Sequence, residues 1–184
     1  MTDLGFKGAL ISGLTNGAFL DERKFWPIFA RAVALDVPIY LHPAIPHEAV
    51  VKAYYDGHRT GEYPILMGAV WGFTVETATH ALRLILSGVF QEYPRLKIIL
   101  GHLGEALPLL LWRLEWTYNN LTKKTGIAEC FRKHFYVTTS GNFSHSLWFA
   151  PSPNSALIVF YLPSTGHLTQ TPRVSNSSER RRSS

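Results

Sequence analysis

Short apolar runs alternate along the chain with longer segments in which apolar residues recur every three or four positions. The apolar runs predict four strands, at 8–13, 37–43, 97–102 and 135–141. Continuous apolar runs are typical of parallel strands that are buried on both faces. Helical spacing is found near 25–33, 73–86 and 107–121. Asp21 suits the N-cap of the first helix and Gly88 the end of the second. The alternation predicts βα units around a parallel sheet.

The chain has two regions of different character. The long connection 45–72 holds one predicted short helix, and connections of this length are usually functional or disordered. After Asn142 a single apolar run, 156–162, is followed by a Ser/Arg-rich end that is too poor in apolar residues to order itself. We therefore predict an α/β domain over 1–143 and a divergent, poorly ordered tail over 144–184.

Composition narrows the class of protein. With 184 residues, 46% of them hydrophobic, the chain can bury one globular core. The net charge of +5 comes mostly from the residues after 172, and the body shows no basic stripe interleaved with aromatics, so no nucleic-acid partner is expected. A single cysteine, Cys130, and no signal-peptide pattern or membrane-length apolar run predict a cytoplasmic protein without a membrane partner.

Polar side chains stand at the ends of three predicted strands: His42, His102 with Glu105, and the segment 138–140. Carboxyl ends of parallel strands form the ligand crevice in βα folds, so we predict a site there, with Glu105 orienting the His102 imidazole. Simpler interpretations stay open at this point. Each histidine could be a hydrogen-bonded structural residue, and Glu105 could only favour the start of the helix at Leu107.

Other residues are predicted, from their positions alone, to be structural or exposed to solvent. Arg113 is by default a solvated helix side chain, and Phe73 a core residue. The remaining histidines share no recognised ligand spacing and are predicted to be structural; they are His47, His58, His80, His134, His145 and His167.

Three segments together resemble one enzyme family: FLDERKFWPIFARAVALDVPIYLHP, FTVETATHALRLILSGVFQEYPRLKIILGHLGEALPLLLWRLE and FYVTTSGNF. The chain resembles the amidohydrolase-related metal-dependent decarboxylases over about 5–143. It is most similar to the hydroxybenzoate decarboxylases of the γ-resorcylate and 2,3-dihydroxybenzoate type, and more distantly to aminocarboxymuconate semialdehyde decarboxylase. The resemblance implies a distorted (β/α)₈ TIM barrel, a homo-oligomer in the complete enzyme, and one divalent metal, Zn²⁺, Mn²⁺ or Mg²⁺.

The same resemblance implies a role for each matching residue. His42 would be a metal ligand, and His102, hydrogen-bonded to Glu105, would lie beside the substrate. Arg113 would reach a neighbouring subunit's site and bind the substrate carboxylate, and Phe73 would pack on the substrate ring. The expected reaction is non-oxidative decarboxylation, as in a carboxy-lyase, of a small hydroxylated aromatic acid.

The chain also departs from the family pattern. The first-strand Glu-x-His or His-x-His metal pair has no counterpart, and no aspartate follows Asp56, although the family has one at the end of its eighth strand. We therefore expect a truncated chain forming a partial barrel that lacks the first strands and the last strand, with weak or no turnover. Two alternatives remain: a metal-dependent hydrolase of the same superfamily, and a non-catalytic fragment that associates with full-length subunits.

Overall fold

A parallel sheet forms the centre of the molecule. The computed structural model describes residues 4–55, 63–141 and 159–160, and within them the strands follow chain order across the sheet. The strands are β1 (Ala9–Ser12), β2 (Ile39–His42), β3 (Ile98–Leu100), β4 (Phe135–Thr138) and β5 (Val159–Phe160). All neighbouring pairs are parallel. The four predicted strands are confirmed, each somewhat shorter than its apolar run, and β5 falls inside the run 156–162.

Helices connect the strands. They are α1 (Trp26–Ala34), α2 (Glu48–Tyr54), α3 (Gly72–Ser87), α4 (Val89–Glu92), the short turn α5 (His102–Glu105), α6 (Leu107–Thr122) and α7 (Ile127–His134). Two 3₁₀ turns lie at Arg23–Phe25 and Tyr63–Met67. Three predicted helices correspond to α1, α3 and α6, and the short helix predicted within 45–72 corresponds to α2. As predicted, α3 ends at Gly88, whose φ of 90° suits a glycine C-cap.

Helix α7 was not predicted. Its sequence, IAECFRKH, is largely polar, and the apolar contribution comes from Ile127, Ala128 and Phe131, which are buried along one face. A helix of eight residues has too few apolar positions for its period to stand out in the sequence. The helix is stabilised by packing against β4 and α3 in the folded chain, and this packing is not visible in its local sequence.

The two faces of the sheet differ. One face buries Ile39, Leu41, Ile98, Leu100 and Val137 in the core that the helices share. The other face carries residues that stand in register across four strands and are half-buried or exposed: Leu10, Tyr40, Ile99 and Tyr136. A parallel sheet whose apolar core is packed on one face is the arrangement of a barrel wall, in which the second face points to the barrel interior.

The predicted N-cap of α1 is wrong. Phe25 precedes the helix, no side chain caps it, and Pro27 occupies its first turn. The Asp21 carboxylate instead accepts two hydrogen bonds from Arg83, at 3.0 and 2.8 Å. A bidentate guanidinium is a stronger partner for a carboxylate than a backbone amide, and this contact ties the loop after β1 to α3.

The remaining organisational predictions lie partly outside the described residues. The connection 45–72 contains α2 and one 3₁₀ turn in its described parts. Residues 142–158 and 161–184 are not described, so the predicted boundary at 143 and the predicted tail stay predictions. Among the described helices, none has both the length and the apolar character needed to cross a membrane.

Candidate active site

The chain leaves β3 through a left-handed turn. Five consecutive residues have positive φ: His102 at 50°, Leu103 at 58°, Gly104 at 75°, Glu105 at 53° and Ala106 at 64°. Each residue other than glycine costs about 1–2 kcal/mol in this conformation. Backbone strain of this kind persists only where surrounding structure enforces it, and it is concentrated at functional sites. We call residues 102–106 the left-handed turn.

The left-handed turn brings the predicted acid and base into contact. His102 Nδ1 donates a hydrogen bond to Glu105 Oε1 at 2.5 Å. The Glu105 side chain is only 1% exposed, whereas the His102 side chain is 35% exposed at the rim. The hydrogen bond to Glu105 raises the pKa of His102 above 6.5, although partial burial of the ring acts in the opposite direction. The imidazole is therefore stabilised as a cation by a buried carboxylate.

The second oxygen of Glu105 is bound by a residue that the sequence did not single out. Thr74 Oγ1, in the first turn of α3, donates a hydrogen bond to Glu105 Oε2 at 2.8 Å. The alternative interpretation was that Glu105 only favours the start of α6. Its described hydrogen bonds are instead made with the side chains of His102 and Thr74. The two residues are 31 positions apart, and no sequence pattern links them.

His42 lies at the end of the neighbouring strand β2 and is half-buried. Its Nδ1 lies 2.8 Å from the Pro43 carbonyl oxygen, so Nδ1 carries the proton and donates. Metal-binding histidines commonly engage the second ring nitrogen in this way, which leaves Nε2 as the ligand atom. This tautomer leaves Nε2 of His42 without a proton and able to accept from a donor or a metal ion. The described residues contain no group of three or more His, Cys, Asp or Glu able to hold a metal ion, so they do not by themselves form a complete metal site.

Tyr40 connects these two strand ends. Its ring centroid lies 6.0 Å from that of His42. Its hydroxyl reaches β3, because a Cβ built on Gly101 would lie 2.7 Å from that oxygen. Glycine at position 101 therefore makes room for the tyrosine immediately before His102. Neither Tyr40 nor Gly101 was predicted to belong to the site, although the position of Tyr40 two residues before His42 places these two side chains on the same face of β2.

The end of β4 completes the edge. The hydroxyls of Thr138 and Ser140 are hydrogen-bonded at 2.7 Å. Gly141, with φ of 75°, packs against the His102 ring, and a Cβ built there would lie 2.6 Å from His102 Cδ2. The polar ends predicted for β2, β3 and β4 therefore share one edge of the sheet, and the ends of β3 and β4 are in direct contact.

The structure places the other two predicted residues less closely. Phe73 is half-buried and precedes Thr74 in the first turn of α3. Arg113 is exposed on α6 and forms no hydrogen bond or ion pair with any described residue. Next to it, the exposed rings of Trp112 and Trp116 are stacked with centroids 6.0 Å apart. The described chain does not bring Arg113 into contact with the His102–Glu105 pair.

Three of the histidines predicted to be structural lie in the described residues and serve local structure. Buried His80 accepts a hydrogen bond from the Leu20 amide at 2.9 Å, and burial lowers its pKa to about 4. His134 donates to the Leu96 carbonyl at 2.9 Å. His47 accepts from a backbone amide at the start of α2. His58, His145 and His167 lie outside the described residues.

A further buried acid was not recognised from the sequence. Glu76, on the inward face of α3, is 6% exposed, and its Oε1 has no hydrogen-bond partner among the described residues. Burial raises its pKa, and the charge of His47 offsets part of this effect. Its inward direction follows from its spacing of four residues from His80 on the same helix face.

Comparison with known proteins agrees with the partial barrel. A model of the Amidohydrolase family matches residues 1–163. Gamma-resorcylate decarboxylase of Polaromonas sp. (strain JS666) is 44% identical over 153 residues, which cover 77% of this chain and 45% of that protein. A crystal structure of a dihydroxybenzoic acid decarboxylase from Polaromonas sp. JS666, with bound manganese and the inhibitor 2-nitroresorcinol, superposes with a TM-score of 0.67 at 43% identity, covering 78% of this chain and 45% of that one.

A crystal structure of 5-carboxyvanillate decarboxylase LigW from Sphingomonas paucimobilis has a TM-score of 0.70 at 38% identity and covers 80% of this chain and 44% of that one. The chain thus spans a little under half the length of these relatives. The predicted partial barrel of the metal-dependent hydrolase type is confirmed by these neighbours. The strand order and the helices packed on one face of the sheet agree with this assignment. The chain belongs to the amidohydrolase family, because the family model matches residues 1–163.

Proposed function

We propose that this protein carries out metal-dependent, non-oxidative decarboxylation of a hydroxylated aromatic acid. The observation that carries the proposal is the His102–Glu105 pair, held in a strained left-handed turn at the sheet edge where His42 also lies. The relatives support the reaction class, because they are decarboxylases of aromatic acids.

We propose His42 as one ligand of a divalent ion, Zn²⁺, Mn²⁺ or Mg²⁺, and manganese is the ion bound in one relative. An ion at this edge would stabilise negative charge on the carboxylate and phenolic oxygens of the substrate. The Nδ1 hydrogen bond of His42 fixes the tautomer that such a ligand needs. The other ligands would come from outside the described residues.

His102 is proposed to lie beside the substrate and to hold a proton there. Its raised pKa keeps the imidazole cationic to higher pH than an isolated histidine, so it can bind an anionic aromatic acid. Glu105 supplies the charge that makes this possible. We propose that Phe73 packs on the ring of the substrate. Exposed Arg113 would bind the substrate carboxylate of a neighbouring subunit, which requires a homo-oligomer, and its planar guanidinium suits two parallel hydrogen bonds to that group.

The reaction requires a proton at the ring carbon that carries the carboxylate. Protonation there interrupts aromaticity; the bond to the carboxylate carbon then breaks, CO₂ leaves, and the bonding electrons return to the ring. The sequence has no aspartate after Asp56 that could deliver this proton from the end of a last strand. We therefore propose weak or no turnover for these 184 residues by themselves.

The test is an assay of CO₂ release by the purified chain, with and without Mn²⁺, on 2,6-dihydroxybenzoate and 5-carboxyvanillate. We expect slow release that is lost in H102N and H42A and retained in H134N, a substitution away from the sheet edge. Release at a normal enzymatic rate would refute the proposal of weak turnover. Slow release that persists in H102N would refute the proposed site.

Two observations favour testing the alternative functions, a hydrolase and a non-catalytic fragment, alongside decarboxylation. The family model is that of amidohydrolases, so esters, lactones and amides should be offered as substrates, and release of an alcohol or amine without CO₂ would favour a hydrolase. The exposed tryptophans of α6 would suit a non-catalytic fragment that binds full-length subunits. Co-purification with an intact relative, without activity, would support that role.

A further inference from the structure

Glu105 is a buried carboxylate held from two directions. Oε1 accepts from His102 within the left-handed turn, and Oε2 accepts from Thr74 on α3. The first contact is made with a neighbour three residues away, whereas the second depends on how α3 docks against the end of β3. The position of the carboxylate, and with it the position of the imidazole, is therefore set by another secondary-structure element.

We propose that Thr74 is a positioning residue for His102. Its hydroxyl holds Glu105 in the rotamer that keeps the His102 proton on Nδ1 and fixes the ring plane at the sheet edge. The consequence for turnover rests on the proposed decarboxylase function, but the positioning itself does not.

The place of Thr74 in its helix suits this task. It lies in the first turn of the 16-residue helix α3, where backbone amides point outward and the positive end of the helix dipole favours a nearby carboxylate. Threonine is branched at Cβ, so its χ1 is restricted and its hydroxyl is presented in few directions. A hydroxyl donor at this point therefore binds Glu105 with little freedom to move away.

The opposite side of the imidazole is already closed. The His102 ring packs on Gly141, where a Cβ would lie 2.6 Å from Cδ2 and 3.4 Å from Nε2. Gly141 therefore limits where the ring can go but offers no side chain to orient it. The hydrogen bond to Glu105, which Thr74 holds in turn, is a contact that favours one orientation of the ring.

The test is nuclear magnetic resonance of the His102 ring in the 184-residue chain, with the resonance assigned by its loss in H102N. The Nδ1 proton of an imidazole bound to a carboxylate lies far downfield and exchanges slowly with water. T74V removes the hydroxyl and nearly preserves the shape of the side chain. A hydrogen bond to a charged group is typically worth about a factor of 10 or more in an opening equilibrium. We therefore expect the proton to exchange at least about tenfold faster in T74V.

Two variants make the result specific. T74S restores the hydroxyl and should return the slow exchange. T79V is the matched control, because Thr79 lies on the same helix, is exposed and bonds only to the Val75 carbonyl among described residues. Unchanged exchange in T74V would overturn the proposal. Equally fast exchange in T79V and T74V would also overturn it, because general loosening of α3 would then be the cause.

If T74V does not fold, T74A removes the same hydroxyl without the second methyl group and is judged by the same outcomes. The readout needs no turnover, so failure of the proposed decarboxylation and failure of this inference are distinguishable. Where turnover is measurable, T74V should lower kcat more than it raises KM and T74S should recover the rate, since a misplaced imidazole affects the reaction more than substrate capture.

Discussion

Two histidines at the same sheet edge have different surroundings. His42 ends β2 in extended backbone, and its Nδ1 donates to a neutral backbone carbonyl. His102 follows β3 in a left-handed turn, and its Nδ1 donates to the buried carboxylate of Glu105. A carbonyl fixes the tautomer without adding charge, which suits a metal ligand. A carboxylate also stabilises the cation, which suits a residue that holds a proton.

The comparison shows that residue type alone does not determine the chemistry of a strand-end histidine. The two histidines differ in the group that accepts the hydrogen bond from Nδ1, and the conformation of the backbone determines which group lies there. Without the left-handed turn, Glu105 would point elsewhere and His102 would resemble His42. Substitutions that change the turn, the partners or the burial of these groups should therefore break or sharpen the contrast.

The largest expected effect comes from breaking the left-handed turn with G104A. Gly104 has φ of 75°, and a Cβ there would lie 2.7 Å from Val137 Cγ1 and 3.0 Å from the Pro108 ring. Left-handed strain and overpacking together should cost about 2–5 kcal/mol in the free energy of unfolding, measured by urea denaturation. G126A is the control, because Gly126 also has positive φ but open space around its Cβ position. Equal losses in both variants would show that packing against β4 does not matter.

A smaller effect should come from acidification, through a third histidine. Burial lowers the pKa of His80 from 6.5 to about 4, so the unfolded chain binds the proton first. Stability should be complete above pH 6.5 and fall towards pH 4, by about 3 kcal/mol at about 1.4 kcal/mol per pH unit. H80Q should lose this pH dependence, as measured by unfolding at a series of pH values. H47Q, which changes an exposed histidine, should keep it.

E105Q should make the surroundings of His102 resemble those of His42. The neutral amide still accepts from Nδ1, so the pKa of His102 should fall, while the ring resonances of His42 stay unchanged by NMR. The raised pKa of His102 contributes stability that is complete below pH 6.5 and lost as pH rises through the folded value. E105Q should therefore lower the free energy of unfolding by about 1–2 kcal/mol below pH 6.5, a modest cost because the His102 ring is partly exposed. The cost should shrink at higher pH, where the ring loses its proton. A pKa of His102 that does not move would contradict the assigned role of Glu105.

The smallest effect should come from a buried acid that has no hydrogen-bonded cation among the described residues. Glu76 has a pKa raised above 4.5 by burial, so its ionisation destabilises the folded chain as pH rises. E76Q should raise the free energy of unfolding by about 1 kcal/mol at pH 7, and the gain should vanish below pH 4.5. E48Q, on an exposed residue of α2, is the control and should show no such gain. A loss of stability in E76Q at pH 7 would indicate that its carboxylate has a cationic partner.

Much of the fold could be predicted from the sequence. Strands β1 to β4 follow from apolar runs, helices α1, α3 and α6 follow from apolar period, and the end of α3 follows from Gly88. The candidate site could be predicted in part, because His42, His102 and Glu105 each follow an apolar run. Helix α7 could not, since its short polar sequence carries little periodic signal. Asp21 matches an N-cap by residue type, yet it pairs with Arg83, 62 positions away.

The sequence by itself determined where strands β1 to β4 and helices α1, α3 and α6 form and which polar residues stand at the strand ends, because apolar period and glycine or proline signals act over a few neighbouring residues. The tertiary structure alone decided the hand of the turn after β3 and the partners of Glu105. Leucine, glutamate and alanine favour a right-handed helix, so nothing local predicts five residues with positive φ. That conformation and the contact with Thr74 exist only because α3 and β4 are packed against the end of β3.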